Sequence, residues 1–530
     1  MRVDQSNPST MLLTAVILAL AGAIDPSMRR WRDAPIAQVT GGRVRGLTTK
    51  DNVTAFYGVP YAKAKRYAAA APMSWSGIRD ATAPAEPCPQ MAHGVIGRED
   101  CLVANVFTPA GNLNLPIMLQ IHGGSMNAGR AVADGSALAK RAKAVIISIQ
   151  YRLGALGFWA ANASTPQNFG LDDLLFALRW ARDNADAFGG DPKRVMVFGV
   201  SAGGAAVAHL LTTAPPGLIF SATICVESKF RTPHTIIHNV THCLIFTQAA
   251  MESPGGHQGW MAPGSRPDDD FVAPSVLAAA SAATATTIRC SVDDFNCLRK
   301  VPNADIITAA EGVRFAPALL RARPANPLSA DGVETPLALL RLGAWQQGAV
   351  IIGGQSCESC AATAALAGPP RNLTHFEFVD ALQTYFAGSR IAWSDVVARY
   401  APRVATEGRW RTLARIMSDS GHACSAQLHA SAVADGWVYE FEKATKGLPG
   451  AVHGSDEPWL FQEKGSDPLS LAMAAYWSSL AHAGDPNYAA DGVAWPRSPA
   501  VLGLDDEIST RKNTRRPECL DFWAPWLGFY

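Results

Sequence analysis

An α/β fold, a large and mostly parallel twisted sheet flanked by helices, is predicted by three observations. Short apolar runs recur along the chain, a helical repeat separates two of them, and glycine-rich turns follow directly on others. The runs are Ile117 to Ile121, Ala144 to Ile149, Val195 to Phe198 and Val350 to Ile352. Each is bounded by Gly, Pro or polar residues and is apolar at nearly every position, which suits strands buried on both faces in a parallel sheet.

Between the second and third runs, Gly170 to Phe188 carries Leu171, Leu174, Leu175, Leu178 and Ala181 at helical spacing, and Gly189-Gly190-Asp191-Pro192 stops it. Strand, crossover helix and strand in that order make an open, mostly parallel sheet, whose active sites collect at the carboxyl ends of the strands. The Ala-rich stretch Val276 to Thr287 reads as a helix or covering segment, and there is no internal repeat.

With 530 residues, 48% hydrophobic and 17% charged, the chain has material for a large core and too little charge for disorder. A formal charge of +1 creates no overall field for nucleic acid or an anionic membrane, so a small neutral ligand is expected. Near the N-terminus, Met11 to Ala23 is mostly apolar and ends in the small-x-small pattern Ala21-Gly22-Ala23. Residues 1–23 therefore read as a signal peptide, with an uncleaved anchor or a buried core helix as the alternatives; the run is short for a membrane span. Ten cysteines and sequons at Asn52, Asn162, Asn239 and Asn372 agree with a secreted, disulfide-bonded glycoprotein.

After Val195 to Phe198 comes Gly199-Val200-Ser201-Ala202-Gly203-Gly204, then the helix-compatible Ala205 to Leu211. A G-x-S-x-G in this strand-turn-helix context lifts a serine hydroxyl clear of the sheet, and the helix N-terminus behind it favours developing negative charge. Both flanking positions need glycine because a Cβ would meet neighbouring backbone. The earlier run Ile117 to Ile121 is followed by His122-Gly123-Gly124-Ser125, a turn whose N–H groups can converge on one point. Such a loop pairs with the N–H of the residue after the nucleophile to form an oxyanion hole, here from Gly124, Ser125 and Ala202.

Together with Phe56-Tyr57-Gly58-Val59-Pro60-Tyr61-Ala62, Glu99-Asp100-Cys101-Leu102, Tyr151-Arg152-Leu153-Gly154, Ala187-Phe188-Gly189-Gly190-Asp191-Pro192, Val452-His453-Gly454-Ser455, Gly484-Asp485-Pro486-Asn487 and Phe522-Trp523, these motifs run nearly end to end. The chain resembles the type-B carboxylesterases, the family of cholinesterases and several fungal lipases. The resemblance implies a single α/β-hydrolase domain over residues 32–530. It also implies two partners for Ser201: Glu358, in Gly353-Gly354-Gln355-Ser356-Cys357-Glu358-Ser359, as the orienting acid, and His453 as general base. The expected reaction is carboxylic ester hydrolysis through an acyl-enzyme, with neither metal nor organic cofactor. Two alternatives stand beside it: a lipase for long-chain acylglycerols, and a catalytically silent adhesion or binding member.

The resemblance further suggests disulfides Cys88–Cys101, Cys290–Cys297 and Cys424–Cys519. For Cys357 and Cys360, a C-x-x-C around Glu358, a local disulfide, redox control and no role at all are the three readings. Departures also set expectations. Val200 stands where these esterases carry Glu, which removes a carboxylate beside the site and implies lower activity. Ser125 replaces a third glycine, so its φ is expected to be negative. The segment from Cys88 to Cys101 lacks a tryptophan, so choline esters are not the expected substrates. Finally, Leu-Ile-Phe recurs at 218–220 and 244–246, as though residues 221–246 were a surface insertion or a retained intron; an ordinary loop is the plainer alternative.

Overall fold

The computed structural model describes residues 34–525 apart from 163, 165, 214–219, 229–239, 253–273, 314, 316, 318–347, 388, 390, 434–435, 462–464, 490–491 and 513–516. The apolar leader and the Asn239 sequon lie outside the described residues, whereas Asn52, Asn162 and Asn372 are exposed.

A twelve-stranded sheet organises the chain. Numbered along the sequence within this sheet, its strands are β1 (Leu47–Thr48), β2 (Val53–Pro60), β3 (Val103–Pro109), β4 (Leu115–Ile121), β5 (Val145–Ile149), β6 (Gly190–Val200), β7 (Phe220–Ser228), β8 (Val240–Glu252), β9 (Gly348–Gln355), β10 (Trp437–Phe441), β11 (Val501–Leu504) and β12 (Ser509–Arg511). The spatial order is β12-β11-β10-β9-β8-β7-β6-β4-β5-β3-β2-β1, with β6 also bonded to β8. The pairs β5–β4, β4–β6, β6–β8, β8–β9, β9–β10 and β10–β11 are all parallel. Antiparallel β1, β2, β3 and β12 border this parallel centre.

Period-two alternation within the apolar runs feeds two cores. Ile117, Leu119, Ile121, Val195 and Val197 enter one cluster, while Met118, Met196 and Phe198 enter the other. Helices α2 (Phe169–Asp183) and α3 (Ala202–Thr213) cover the first face through Leu174, Leu178, Val207 and Leu210. On the second lie α1 (Ser136–Ala142) and α6 (Pro468–Ala483), through Leu138, Met473 and Trp477. A third, all-helical cluster gathers α4 (Arg409–Ser418), α5 (Cys424–Ala432) and the C-terminal turn at Trp523.

The helix read as Gly170 to Phe188 is divided: α2 ends at Asp183, a 3₁₀ turn spans Asp186–Phe188, and Gly189 takes φ 76°. The Gly190-Asp191-Pro192 stretch, read as a stop, already belongs to β6, because Gly190 pairs with Leu115. Strands β7 and β8 form a hairpin in which Cys225 stands opposite Cys243 in register. Parallel pairing of β8 with β9 starts at Thr247, and with β6 at Gln248, directly after residue 246. Four disulfides occur among the described residues: Cys88–Cys101, Cys290–Cys297, Cys424–Cys519 and Cys357–Cys360. No helix among the described residues is long and apolar enough to cross a membrane.

Candidate active site

Strand β6 delivers Val200 and Ser201 to the carboxyl edge of the sheet, and α3 starts at Ala202. Ser201 has φ 59°, a left-handed conformation that a serine adopts only under the constraint of its surroundings. Those constraints are visible in the flanking glycines. A Cβ on Gly199 would lie 2.7 Å from both Gly203 C and Ile121 O, and one on Gly203 would lie 2.1 Å from Ile121 O. The turn is therefore pressed against the end of β4, and only glycine fits at either place.

From that same end of β4 springs the His122-Gly123-Gly124-Ser125 loop. A Cβ on Gly123 would stand 2.8 Å from Val200 O and 3.0 Å from Ser201 Cβ, so loop and serine turn are in backbone contact. Gly124 has φ 104°. Contrary to the expectation of negative φ, Ser125 lies at 51° and Met126 at 59°. Local hydrogen bonds outweigh the strain: Gly124 O accepts from the N–H groups of Asn127 and Ala128, both at 2.9 Å, and Asn127 Nδ2 donates to Ser125 O at 2.6 Å. Ser125→Gly is accordingly expected to raise the melting temperature, relieving about 1–2 kcal/mol of left-handed strain. A melting temperature below that of wild type would contradict it.

Gln90, which sequence reasoning missed, braces the loop by donating to Gly129 O and accepting from Gly129 N–H, both at 2.8 Å. His122 is buried, stacks on Tyr151 with ring centres 4.5 Å apart, and is pushed down to a pKa of about 4 by burial. It is a neutral structural ring. Beside the loop, a cavity of about 400 Å³ is lined by Ser125, Asn127, Met91, Ala155 and Phe315.

Glu358 sits in the turn after β9, and its side chain is fully buried. Its Oε1 accepts from Gln355 N–H at 2.8 Å, and its Oε2 accepts from His453 Nδ1 at 2.8 Å. Two loops are zipped together to make this contact. His453 N–H donates to Glu358 O at 3.1 Å, Cys357 N–H to Ala451 O at 3.0 Å, and Ala451 N–H to Ser356 Oγ at 3.0 Å. Burial alone would raise the Glu358 carboxyl, but the His453 hydrogen bond, the nearby imidazoles and the Gln355 N–H together hold it below the usual carboxylate range. The Cys357–Cys360 disulfide closes a ring around this residue. Val200, buried, faces the loop that carries His453, since a Cβ on Gly454 would lie 3.8 Å from Val200 Cγ2.

Two further ionisable groups stand here that no motif announced. Asp456 is fully buried and accepts from Tyr439 OH at 2.6 Å. Burial, reinforced by the Glu358 charge, raises its carboxyl to about 6. His422 packs on His453 with ring centres 4.1 Å apart. Withdrawal from water, then the neighbouring His453, push the His422 imidazole well below its usual range. It is carried by a π-helical turn, Asp419–Ala423, inserted between α4 and α5. The extra residue of such a turn shifts helical phase, which is why simple periodicity gives no hint of it. Trp523 Nε1 donates to Tyr400 OH at 2.7 Å, and Tyr400 OH donates to Asp419 Oδ2 at 2.7 Å, so the C-terminal Phe522-Trp523 motif anchors this turn.

The carboxylesterase family model matches residues 33–523. The chain belongs to the carboxylesterase family. Among its members, mouse cholinesterase is 27% identical over 91% of this chain and 85% of its own length. A fumonisin B1 esterase of Sphingopyxis macrogoltabida is 29% identical over 94% of this chain and 86% of its own. Higher identity is confined to a shorter stretch: the Bacillus subtilis para-nitrobenzyl esterase is 39% identical over 36% of this chain, and the match spans 43% of that relative. In three dimensions, a PNB esterase structure superposes with TM-score 0.69 at 26% identity, covering 91% of this chain and 98% of the other. The sheet is thus that of an α/β-hydrolase.

Proposed function

We propose that this chain hydrolyses small, neutral carboxylic esters through an acyl-enzyme, with Ser201 as nucleophile, His453 as base and Glu358 as the orienting acid. The observation that carries the reading is the buried Glu358 accepting from His453 Nδ1 at 2.8 Å, in loops beside a strained serine turn. With Nδ1 protonated toward Glu358, Nε2 keeps the lone pair that takes the Ser201 proton as Oγ attacks the carbonyl carbon. Oxyanion charge falls on the N–H groups of Gly124, Ser125 and Ala202. The proton passes to the leaving alcohol, and water repeats the attack to release the acid and regenerate Ser201. Val200 contributes no charge, consistent with a smaller electrostatic contribution than a glutamate at that position would make.

Incubation with a fluorophosphonate, followed by peptide mass mapping, tests the assignment alongside turnover of p-nitrophenyl butyrate. Phosphonylation at Ser201 and ester turnover are expected; a folded protein that neither labels nor hydrolyses would leave the silent-binder reading in its place. Faster release from long-chain than from short-chain acyl esters would favour the lipase.

Secretion is supported by the leader, the disulfides and the exposed sequons at Asn52, Asn162 and Asn372, and a glycosidase-sensitive mass in culture medium tests it. Residues 221–246 are read as an insertion, because parallel pairing of β8 with β9 and β6 starts only after residue 246. Joining Phe220 directly to Thr247 is expected to give a folded protein with a melting temperature equal to or above the full chain and ester turnover within about a few-fold. Aggregation or loss of the melting transition would refute that reading.

A further inference from the structure

Glu358, His422 and His453 each present one ligand atom, and these atoms all lie within 4.8 Å of one another. Two imidazoles and a carboxylate are a borderline set, suited to zinc and poor for magnesium or calcium, which demand more oxygens. Ligand bonds of about 2.0–2.2 Å around a tetrahedral zinc ion require donors roughly 3.3 Å apart, so the Glu358–His453 pair at 2.8 Å opens slightly while the trio, all within 4.8 Å, otherwise draws together. The His422 and His453 rings pack with their centres 4.1 Å apart, and Glu358 Oε2 meets His453 Nδ1 at 2.8 Å. The trio includes the ring on which the proposed proton transfer depends.

We propose that Glu358, His422 and His453 form an inhibitory zinc(II) site, in which the metal captures the general base and switches ester hydrolysis off. The inhibitory part rests on the proposed role of His453; the binding part does not. A neutral imidazole carries one lone pair and one N–H. Because the Glu358 oxygen lies on the Nδ1 side of the ring, an ion shared with Glu358 takes Nδ1 and leaves the imidazole proton on Nε2, so no lone pair remains there for the Ser201 proton. The Glu358 oxygen that accepts from Nδ1 is released to the metal in the same exchange. Nothing is oxidised or reduced, and removal of the ion restores the base.

The test is zinc binding to the full-length protein, measured by competition with a chromophoric chelator, for wild type, His422→Gln and Ser201→Ala. Inhibition of p-nitrophenyl butyrate hydrolysis is measured in parallel, each protein against its own zinc-free rate. Wild type is expected to bind one equivalent and to be inhibited reversibly, with activity restored by EDTA. Ser201→Ala, though inert, should bind zinc as wild type does. His422→Gln should bind at least about tenfold more weakly and lose zinc sensitivity in step. Equal binding and inhibition in His422→Gln, or no one-to-one binding in wild type, would overturn the site. If wild type binds one zinc through His422 without hydrolysing esters, the site stands and the catalytic reading fails. Should His422→Gln not fold, cobalt(II) added to wild type decides: a visible spectrum of a four-coordinate ion is expected, and a six-coordinate spectrum would refute the proposal.

Discussion

Glu358→Gln is expected to lower kcat by about 10⁴-fold with KM changed only a few-fold, because the wrong imidazole tautomer is selected. Both carboxylate oxygens accept hydrogen bonds, one from Gln355 N–H and one from His453 Nδ1. A glutamine there must turn its NH₂ toward one of these donors. Facing Gln355 it collides with an N–H; facing His453 it forces Nδ1 to accept, and the proton moves to Nε2, where the proposed mechanism needs a lone pair. Kinetics with p-nitrophenyl butyrate measure the effect, and a loss below about tenfold would remove Glu358 from the proposed role. The same group links activity to acid stability. Because its folded pKa lies below its unfolded value, the stability it contributes is fully present above the ordinary carboxyl range and is lost as pH falls through the lowered folded pKa. Acid unfolding of Glu358→Gln should therefore depend less on pH in that window.

Asp173→Ala is expected to produce the largest loss of stability among substitutions outside the site, about 3–5 kcal/mol. Asp173 is completely buried and accepts from Arg152 Nε at 2.8 Å, Arg152 Nη2 at 2.7 Å and the Arg152 N–H at 3.2 Å. Removing the carboxylate leaves a guanidinium only 6% exposed without its hydrogen-bonded countercharge, and the exposed Asp172 is the acidic group that still acts on it. The remaining contacts, a hydrogen bond to Ala68 O at 2.7 Å and the Phe169 ring 5.0 Å away, do not neutralise it. A drop of several degrees in melting temperature and a shorter half-life on heating are the readouts. An unchanged melting temperature would mean that the pair stabilises the chain no more than an exposed one.

Legibility in the sequence followed how local each feature is. The apolar run Ile117 to Ile121 lies inside β4 and Ala144 to Ile149 nearly matches β5, because strands buried on both faces advertise themselves without context. Strands β10 and β11 were not anticipated: Trp437–Phe441 alternates buried and half-buried residues, and Val501–Leu504 is only four residues long. The glycines of the serine turn were readable because steric exclusion leaves only one residue type. Glu358 and His453 came from the family resemblance, since nothing local distinguishes one histidine among twelve. His422, Asp456 and Gln90 were invisible because their roles depend on a phase-shifted helical turn, a buried loop and a contact 39 residues away along the chain. The sign of φ at Ser125 was misjudged for a related reason: the Asn127 side chain that holds the turn is not part of the glycine pattern.

The sulfur bridge from Cys357 to Cys360 encloses Glu358, the proposed orienting acid, so on that proposal the history of a preparation enters its kinetics. Protein made in a thiol-rich cytosol, or stored with a strong reductant, carries that loop as an open chain. The same polypeptide matured in an oxidising compartment carries it as a closed ring. Rates measured on the two belong to different covalent species, and comparing them as one enzyme would mistake a manufacturing difference for a property of the sequence.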